Sequence, residues 1–295
     1  MTKQIKGSLT LILATIIWGS TFVAQSVGVE KIGPLTFLAV RCILAVLALL
    51  AAMFFRNGKN AITLLSNPRL WKAGIPCGVA LFVATALQQI GLIYTTAGKA
   101  GFITSMYILL VPILGLFLKK KPPKTVGISV VIATVGLYLI SGAGITGINT
   151  GDVLMLGCAA AFAVQILIVD HAAADVDSIA LNMVQALVCA ILSGVFMLFT
   201  EEVTMSGILS CWFPLVYAGV LSMGVAYTLQ IVGQKELEPT TASLLMSFES
   251  VFAAVSGWLL LNESFTLTEG IGCALVFGAI IMSQIPGKTK KTAPV

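Results

Sequence analysis

Apolar residues run along this chain in blocks long enough to be membrane spans, since a helix needs roughly 20 mostly apolar residues to cross the hydrocarbon core of a bilayer. Ten segments qualify: 8–29, 34–55, 71–93, 98–118, 125–143, 151–170, 177–199, 210–232, 239–261 and 267–286. The two-residue alternation of barrel strands is absent, so helices are the spanning element. Pro34 and Pro239 stand near helix starts, where a missing N–H costs little. Pro76, Pro112 and Pro214 lie within or near the starts of spans and predict local bends. The pattern predicts an all-α integral membrane protein with ten transmembrane helices and short tails.

Composition agrees. Hydrophobic residues make up 58% of the 295 positions and charged residues 10%, against about 25% charged in a soluble domain. A net charge of +5 alone would suggest an acidic partner such as nucleic acid. The cations instead sit in short loops between apolar blocks, where they set topology. With the N-terminus inside, the inner side receives Lys3, Lys6, Arg56, Lys59, Arg69, Lys72, Lys119, Lys120, Lys121, Lys124, Lys235, Lys288, Lys290 and Lys291, and the outer side only Lys31 and Lys99. Both termini are expected in the cytoplasm, the protein in a bacterial plasma membrane. One inner loop, Asp170 to Asp177, has no Lys or Arg of its own. Lys3 and Lys6 before an apolar run resemble a signal peptide, but the run is too long for an h-region and reads as an uncleaved first span. The six cysteines, with no Cys-x-x-Cys spacing, read as small packing residues.

The chain repeats itself. Residues 85–121 align without gaps to 227–263, at an offset of 142, with identities that include Gln88/Gln230, Gly91/Gly233, Ser105/Ser247 and Gly115/Gly257. In span four, Gly98, Gly101, Ser105, Pro112 and Gly115 follow one helix face; Thr240, Ser243, Ser247, Ala254 and Gly257 take the same offsets in span nine. Small residues in such stripes let helices pack closely in lipid. Earlier segments align at an offset of 144, pairing Trp18 with Phe162 and Arg41 with Gln185. A half with five crossings ends on the side opposite its start, so residues 1–143 and 144–295 are expected to form two inverted five-helix repeats. Inverted repeats are a hallmark of secondary transporters, with a substrate site near the midplane between halves.

Glu249-Ser250-Val251-Phe252-Ala253-Ala254-Val255-Ser256-Gly257-Trp258-Leu259-Leu260-Leu261-Asn262-Glu263 resembles the ninth-span signature of the EamA family in the drug/metabolite transporter superfamily. Ser250 and Asn262 stand where that family commonly has Pro and Gly. Trp18-Gly19-Ser20 and the Thr96–Phe102 run are also similar. The resemblance spans nearly the whole chain and implies movement of small metabolites, often amino acids or related compounds, frequently outward.

Charge within a membrane is costly and marks function by default. Arg41 lies on the order of 10 Å deep in span two, at 1.5 Å per residue. It either grips a carboxylate or phosphate from a cavity wall or snorkels to the outer interface. Glu249 is the only acid near the middle of a span; it either binds an amine or a coupling proton, or is a hydrogen-bonded structural residue. Gln88 with Thr85, Gln165 with Gln185 and Asn182, and Tyr227, Gln230 and Gln234 add uncharged polar groups, which avoid lipid. Trp18, Phe22 and Gln25 share a face of span one, and Trp18, Tyr94 and Tyr107 are candidate cavity walls. Trp18, Arg41, Gln88, Tyr107, Gln165, Gln185, Tyr227, Gln230 and Glu249 form the candidate site for binding or coupling; single members also fit interhelical hydrogen bonds.

Lys99 reads as an interfacial anchor. His171, the only histidine, reads as a surface residue, since a lone imidazole makes no metal site. Gly287-Lys288-Thr289 lacks the earlier glycine of a Walker A loop, where Met282 stands. No catalytic triad, zinc or iron–sulfur pattern is present. The expected function is a secondary carrier for small polar metabolites, without cofactor or nucleic-acid partner, with a small-molecule substrate, the lipid bilayer and protons as partners, as monomer or homodimer. A channel and a membrane-embedded enzyme are the alternatives.

Overall fold

The computed structural model describes residues 3–118, 122–140, 149–261 and 266–284. They are helical, with no strand among them. In chain order the helices are α1 (Lys3–Val29), α2 (Pro34–Asn57), α3 (Asn60–Leu65), α4 (Pro68–Gly91), α5 (Ala97–Thr104), α6 (Tyr107–Phe117), α7 (Lys124–Ile140), α8 (Thr150–Ala172), α9 (Ser178–Thr200), α10 (Met205–Ser210), α11 (Trp212–Val216), α12 (Tyr227–Gln234), α13 (Pro239–Met246), α14 (Glu249–Leu261) and α15 (Leu267–Gln284). A 3₁₀ turn, Leu92–Tyr94, extends α4, and a π-helix, Tyr217–Ala226, joins α11 to α12.

Eight helical stretches are long and apolar enough to cross a bilayer, and two shorter apolar helices, Lys124–Ile140 and Leu267–Ser283, accompany them. The ends of the fifth and tenth expected spans fall outside the described residues, as do Lys119, Lys120, Lys121, Lys288, Lys290, Lys291, Asn262, Glu263 and the Gly287–Thr289 tail. Sequence patterning misses the two short loop helices α3 and α10. Large apolar side chains such as Leu47, Phe55, Phe117, Phe199 and Leu260 lie exposed on the outside, as suits a lipid-facing surface. The six cysteines are free, five of them buried.

Spans four and nine are each broken in the middle. After α5 the chain tightens at Ser105 and Met106, with 3₁₀-type bonds from Met106 N to Ile103 O and Ile108 N to Ser105 O, and restarts as α6. After α13 it does the same at Ser247 and Phe248 before α14. Neither break falls on a proline, and Pro214 stands inside α11, just before the π-helix. Pro76 and Pro112 sit inside α4 and α6, and the ninth-span break has no proline near it. Pro34 and Pro239 do open α2 and α13.

Helix pairings recur. α4 packs along α8, and α1 packs along α12 and the π-helix; α5 lies against α14, and α13 against α6. α2 runs beside α9, and α7 beside α15. The last pair comes into backbone contact: a Cβ on Gly136 would lie 2.7 Å from Gly272 O, and one on Gly272 would lie 2.5 Å from Gly136 O. A Cβ on Gly19 would likewise strike the Phe252 backbone, so α1 and α14 also need a glycine to meet.

The two ends of the bundle differ in their polar ties. At one end, the Glu201 carboxylate closing α9 accepts from Leu35 N (2.8 Å), Thr36 N (2.7 Å) and the Thr36 hydroxyl (2.7 Å), satisfying donors at the α2 N-terminus. Lys31 Nζ donates to Ser210 O at 2.9 Å, and Lys99 pairs with Asp152 at 2.9 Å. Asn149 donates to Tyr94 O at 3.3 Å and caps α8 in a reciprocal box with Asp152. At the other end Arg56 pairs with Asp177, and Lys235 Nζ donates to Val176 O at 2.7 Å. The loop 170–177, which has no cation of its own, thus receives two from neighbouring segments. Lys99, expected as an interfacial anchor, is engaged by Asp152, and His171 is exposed.

Candidate functional site

Side chains from spans one, two, three, four, six, eight and nine meet at a buried cavity in the middle of the bundle. Its volume is only about 30 Å³. Small-molecule sites commonly occupy roughly 300–1,000 Å³, so this conformation is contracted around room for a water or two.

Seven of the nine sequence candidates line it: Trp18, Arg41, Gln88, Tyr107, Tyr227, Gln230 and Glu249. α1 contributes Trp18, Phe22 and Gln25 at spacings of three and four, so one face enters the cavity. Trp18 packs on Tyr227 with ring centroids 4.9 Å apart, and its indole N–H has no partner. Arg41 is 3% exposed. It does not snorkel: Nη1 donates to Gln25 Oε1 at 2.7 Å, and Nε is buried with no hydrogen-bond partner. A buried guanidinium with a free donor fits an anionic oxygen that is not part of the chain.

Glu249 stands where α14 begins and Tyr107 where α6 begins, so the two helix breaks aim these side chains at each other. The Tyr107 hydroxyl donates to Glu249 Oε1 at 3.0 Å, and Ser105 Oγ reaches the same oxygen at 3.4 Å. Ser250 Oγ donates to Gly101 O at 2.9 Å and joins the Ser105 hydroxyl, closing a network across α5, α6 and α14.

Gln165 and Gln185 stand behind the wall, not in it. Asn182 Nδ2 donates to Met223 O (2.9 Å) and Gly224 O (2.8 Å) within the π-helix. Two carbonyl acceptors leave no choice of orientation for that amide, because its nitrogen must face them. Asn182 Oδ1 then accepts from Gln185 Nε2 (2.8 Å), Gln185 Oε1 from Gln165 Nε2 (3.4 Å), and Gln165 Oε1 from Gln230 Nε2 (3.0 Å). The relay ends with Gln230 Oε1, which is buried and has no partner. The π-helix carbonyls therefore dictate that Gln230 offers the cavity an acceptor.

Tyr94 is not a wall: the 3₁₀ turn carries it to the surface, 52% exposed. Sequence reasoning missed Thr21, Phe162, Ile166, Ser222 and Met246 as lining residues. Phe162 had a signal, its alignment with Trp18; Ser222 had none, because it enters only through the π-helix. No group of three or more His, Cys, Asp or Glu among the described residues is placed to hold a metal ion.

The profile of the EamA-like transporter family matches residues 5–142 and, separately, residues 149–284. An uncharacterized transporter of Archaeoglobus fulgidus is 32% identical over 287 residues, covering 96% of this chain and 87% of its own. The uncharacterized transporter YoaV of Bacillus subtilis is 23% identical over 301 residues, covering 98% of this chain and 100% of its own. A solved crystal structure superposes with a TM-score of 0.77 at 20% identity, over 95% of this chain and 97% of the other, a likeness of fold alone.

Proposed function

We propose a function from one premise: the chain belongs to the EamA-like transporter family. It is a multi-pass membrane transporter, and not an enzyme. Our reading is a secondary carrier, exporter or facilitator, for small metabolites that bear both a carboxylate and an amine, such as amino acids. One observation carries it: Arg41 from α2 and Glu249 from α14 reach the same buried cavity. The free Arg41 Nε and Trp18 N–H suit the carboxylate; Glu249 and Gln230 Oε1 suit the ammonium.

The ten-span reading as two inverted five-helix repeats, residues 1–143 and 144–295, belongs to the same proposal. The double match of the family profile and the recurring helix pairings support it. The halves rock about the cavity and widen it to one side at a time, with the 3₁₀ breaks as flexing points. Both termini face the cytoplasm of a bacterial cell. Glu249 exchanges a coupling proton in this scheme.

Counterflow in proteoliposomes, with substrates taken from thermal-shift screening of a metabolite library, tests it. A carrier gives saturable exchange; flux that never saturates makes the protein a channel. Glu249→Gln keeps an acceptor for the Tyr107 hydroxyl, so folding should survive. Uptake driven by a pH gradient should fall at least about a hundredfold while exchange continues. Unchanged uptake in that variant removes Glu249 from coupling.

A further inference from the structure

The chain of amides behind the cavity has two self-consistent arrangements. In the observed one, Gln185, Gln165 and Gln230 each give Nε2 to the oxygen of the amide before, counting outward from Asn182. Turning one amide alone sets oxygen against oxygen and nitrogen against nitrogen. All four side chains are at most 1% exposed, so such a mismatch is costly. The four must turn together, and the turned relay would offer the cavity a donor, Gln230 Nε2, in place of Oε1.

Asn182 decides between the two. Besides Met223 O and Gly224 O, its Nδ2 meets Thr228 Oγ1 at 2.9 Å. Thr228 gives its own proton to Gly224 O at 2.7 Å, so its oxygen has only lone pairs left for Asn182. Turned over, Asn182 would set Oδ1 against three acceptors. These acceptors lie where the π-helix gives way to α12. Tyr227 N still reaches back five residues, to Ser222 O, whereas α-helical bonds reach back four. Where the reach shortens, one carbonyl is passed over and is left for another donor. The Asn182 amide is placed to serve it.

We infer that Asn182 is a positioning residue that sets which ligands the cavity accepts. From behind the wall it reads the winding of span eight and, through Gln185 and Gln165, holds Gln230 with its oxygen toward the cavity. At that point the cavity takes an N–H donor and rejects an acceptor of the same shape, because a buried acceptor facing an acceptor stays unpaired. A change of winding in span eight releases the relay and reverses the preference. The ligand side of this inference rests on the carrier reading; the relay does not.

Gln230→Glu in the purified full-length chain reports the relay without any ligand. A carboxylate at 230 would face the Gln165 oxygen, so folding must keep a proton on it, at a cost that grows with pH. Between about pH 5 and about pH 9 its melting temperature should fall about 4 °C further than that of the parent chain. With Asn182→Leu added, the relay is free to turn and give the carboxylate an N–H, and the extra fall should shrink by at least about half. Gln185→Met, which cuts the relay without touching span eight, should act alike and serves if Asn182→Leu does not fold. Arg41, Tyr107, Tyr227 and Glu249, which face the same cavity, are present in every chain compared. L-Alanine and pyruvate then probe the ligand side, since they differ in an ammonium against a ketone oxygen. Alanine should stabilise the parent chain at concentrations about tenfold below pyruvate, and Asn182→Leu should bring the two within about threefold. An extra fall that is absent, or equal with and without the relay, overturns the proposal, as does an alanine preference that Asn182→Leu leaves intact. Failure of both probes to bind, with the melting contrast present, would sink the carrier reading for such substrates and leave the relay standing.

Discussion

Spans four and nine break at aligned residues, Ser105 with Met106 and Ser247 with Phe248, and restart at aligned residues, Tyr107 and Glu249. The backbone is alike in both, while the side chains that restart each helix are not. Span four offers a phenol and span nine a carboxylate, and the two bond to each other. The aligned serines differ too. Ser105 reaches across to Glu249 and Ser250, whereas Ser247 bonds back to Leu244 O in its own span at 2.8 Å. The same kind of break therefore presents a donor from span four and an acceptor from span nine, and the cavity takes one of each.

Making the two spans chemically alike should do the greatest damage. Tyr107→Glu would set a second buried carboxylate against Glu249, costing roughly 3–5 kcal/mol by uncompensated buried charge, seen as a large fall in melting temperature. Tyr107→Phe keeps the ring and removes only the donor to Glu249. It should cost about 0.6–2 kcal/mol and lower the rate of substrate exchange more than it lowers melting temperature. The serines give the finest contrast. Ser105→Ala should destabilise by about 1 kcal/mol, losing interhelical bonds, while Ser247→Ala should stay within about 0.5 kcal/mol. Equal effects at the two serines would abolish the distinction.

The cavity was legible in sequence because its wall is made of helix faces. Trp18, Phe22 and Gln25 follow helical spacing, and polar groups in apolar blocks have to turn away from lipid. Features that depend on departures from regular winding were not legible. No Gly or Pro stands at Ser105–Met106 or Ser247–Phe248 to announce a break, and nothing in Tyr217–Ala226 announces a π-helix. Polarity alone marks Gln165 and Gln185 as site candidates. Their place behind the wall follows from a four-amide chain whose direction is set by carbonyls that the π-helix presents. Tyr94 departs from the expected wall because the 3₁₀ turn changes the angular step at which it leaves α4.

The contact between Gly136 and Gly272 limits how this sequence can drift. Each missing Cβ would land on the partner's carbonyl oxygen, so no second mutation nearby can make room for the first. Both positions are frozen together, while Gly127, Gly194 and Gly278 face open space and can change freely. Mutational tolerance along α7 and α15 should therefore collapse at one point and be broad elsewhere.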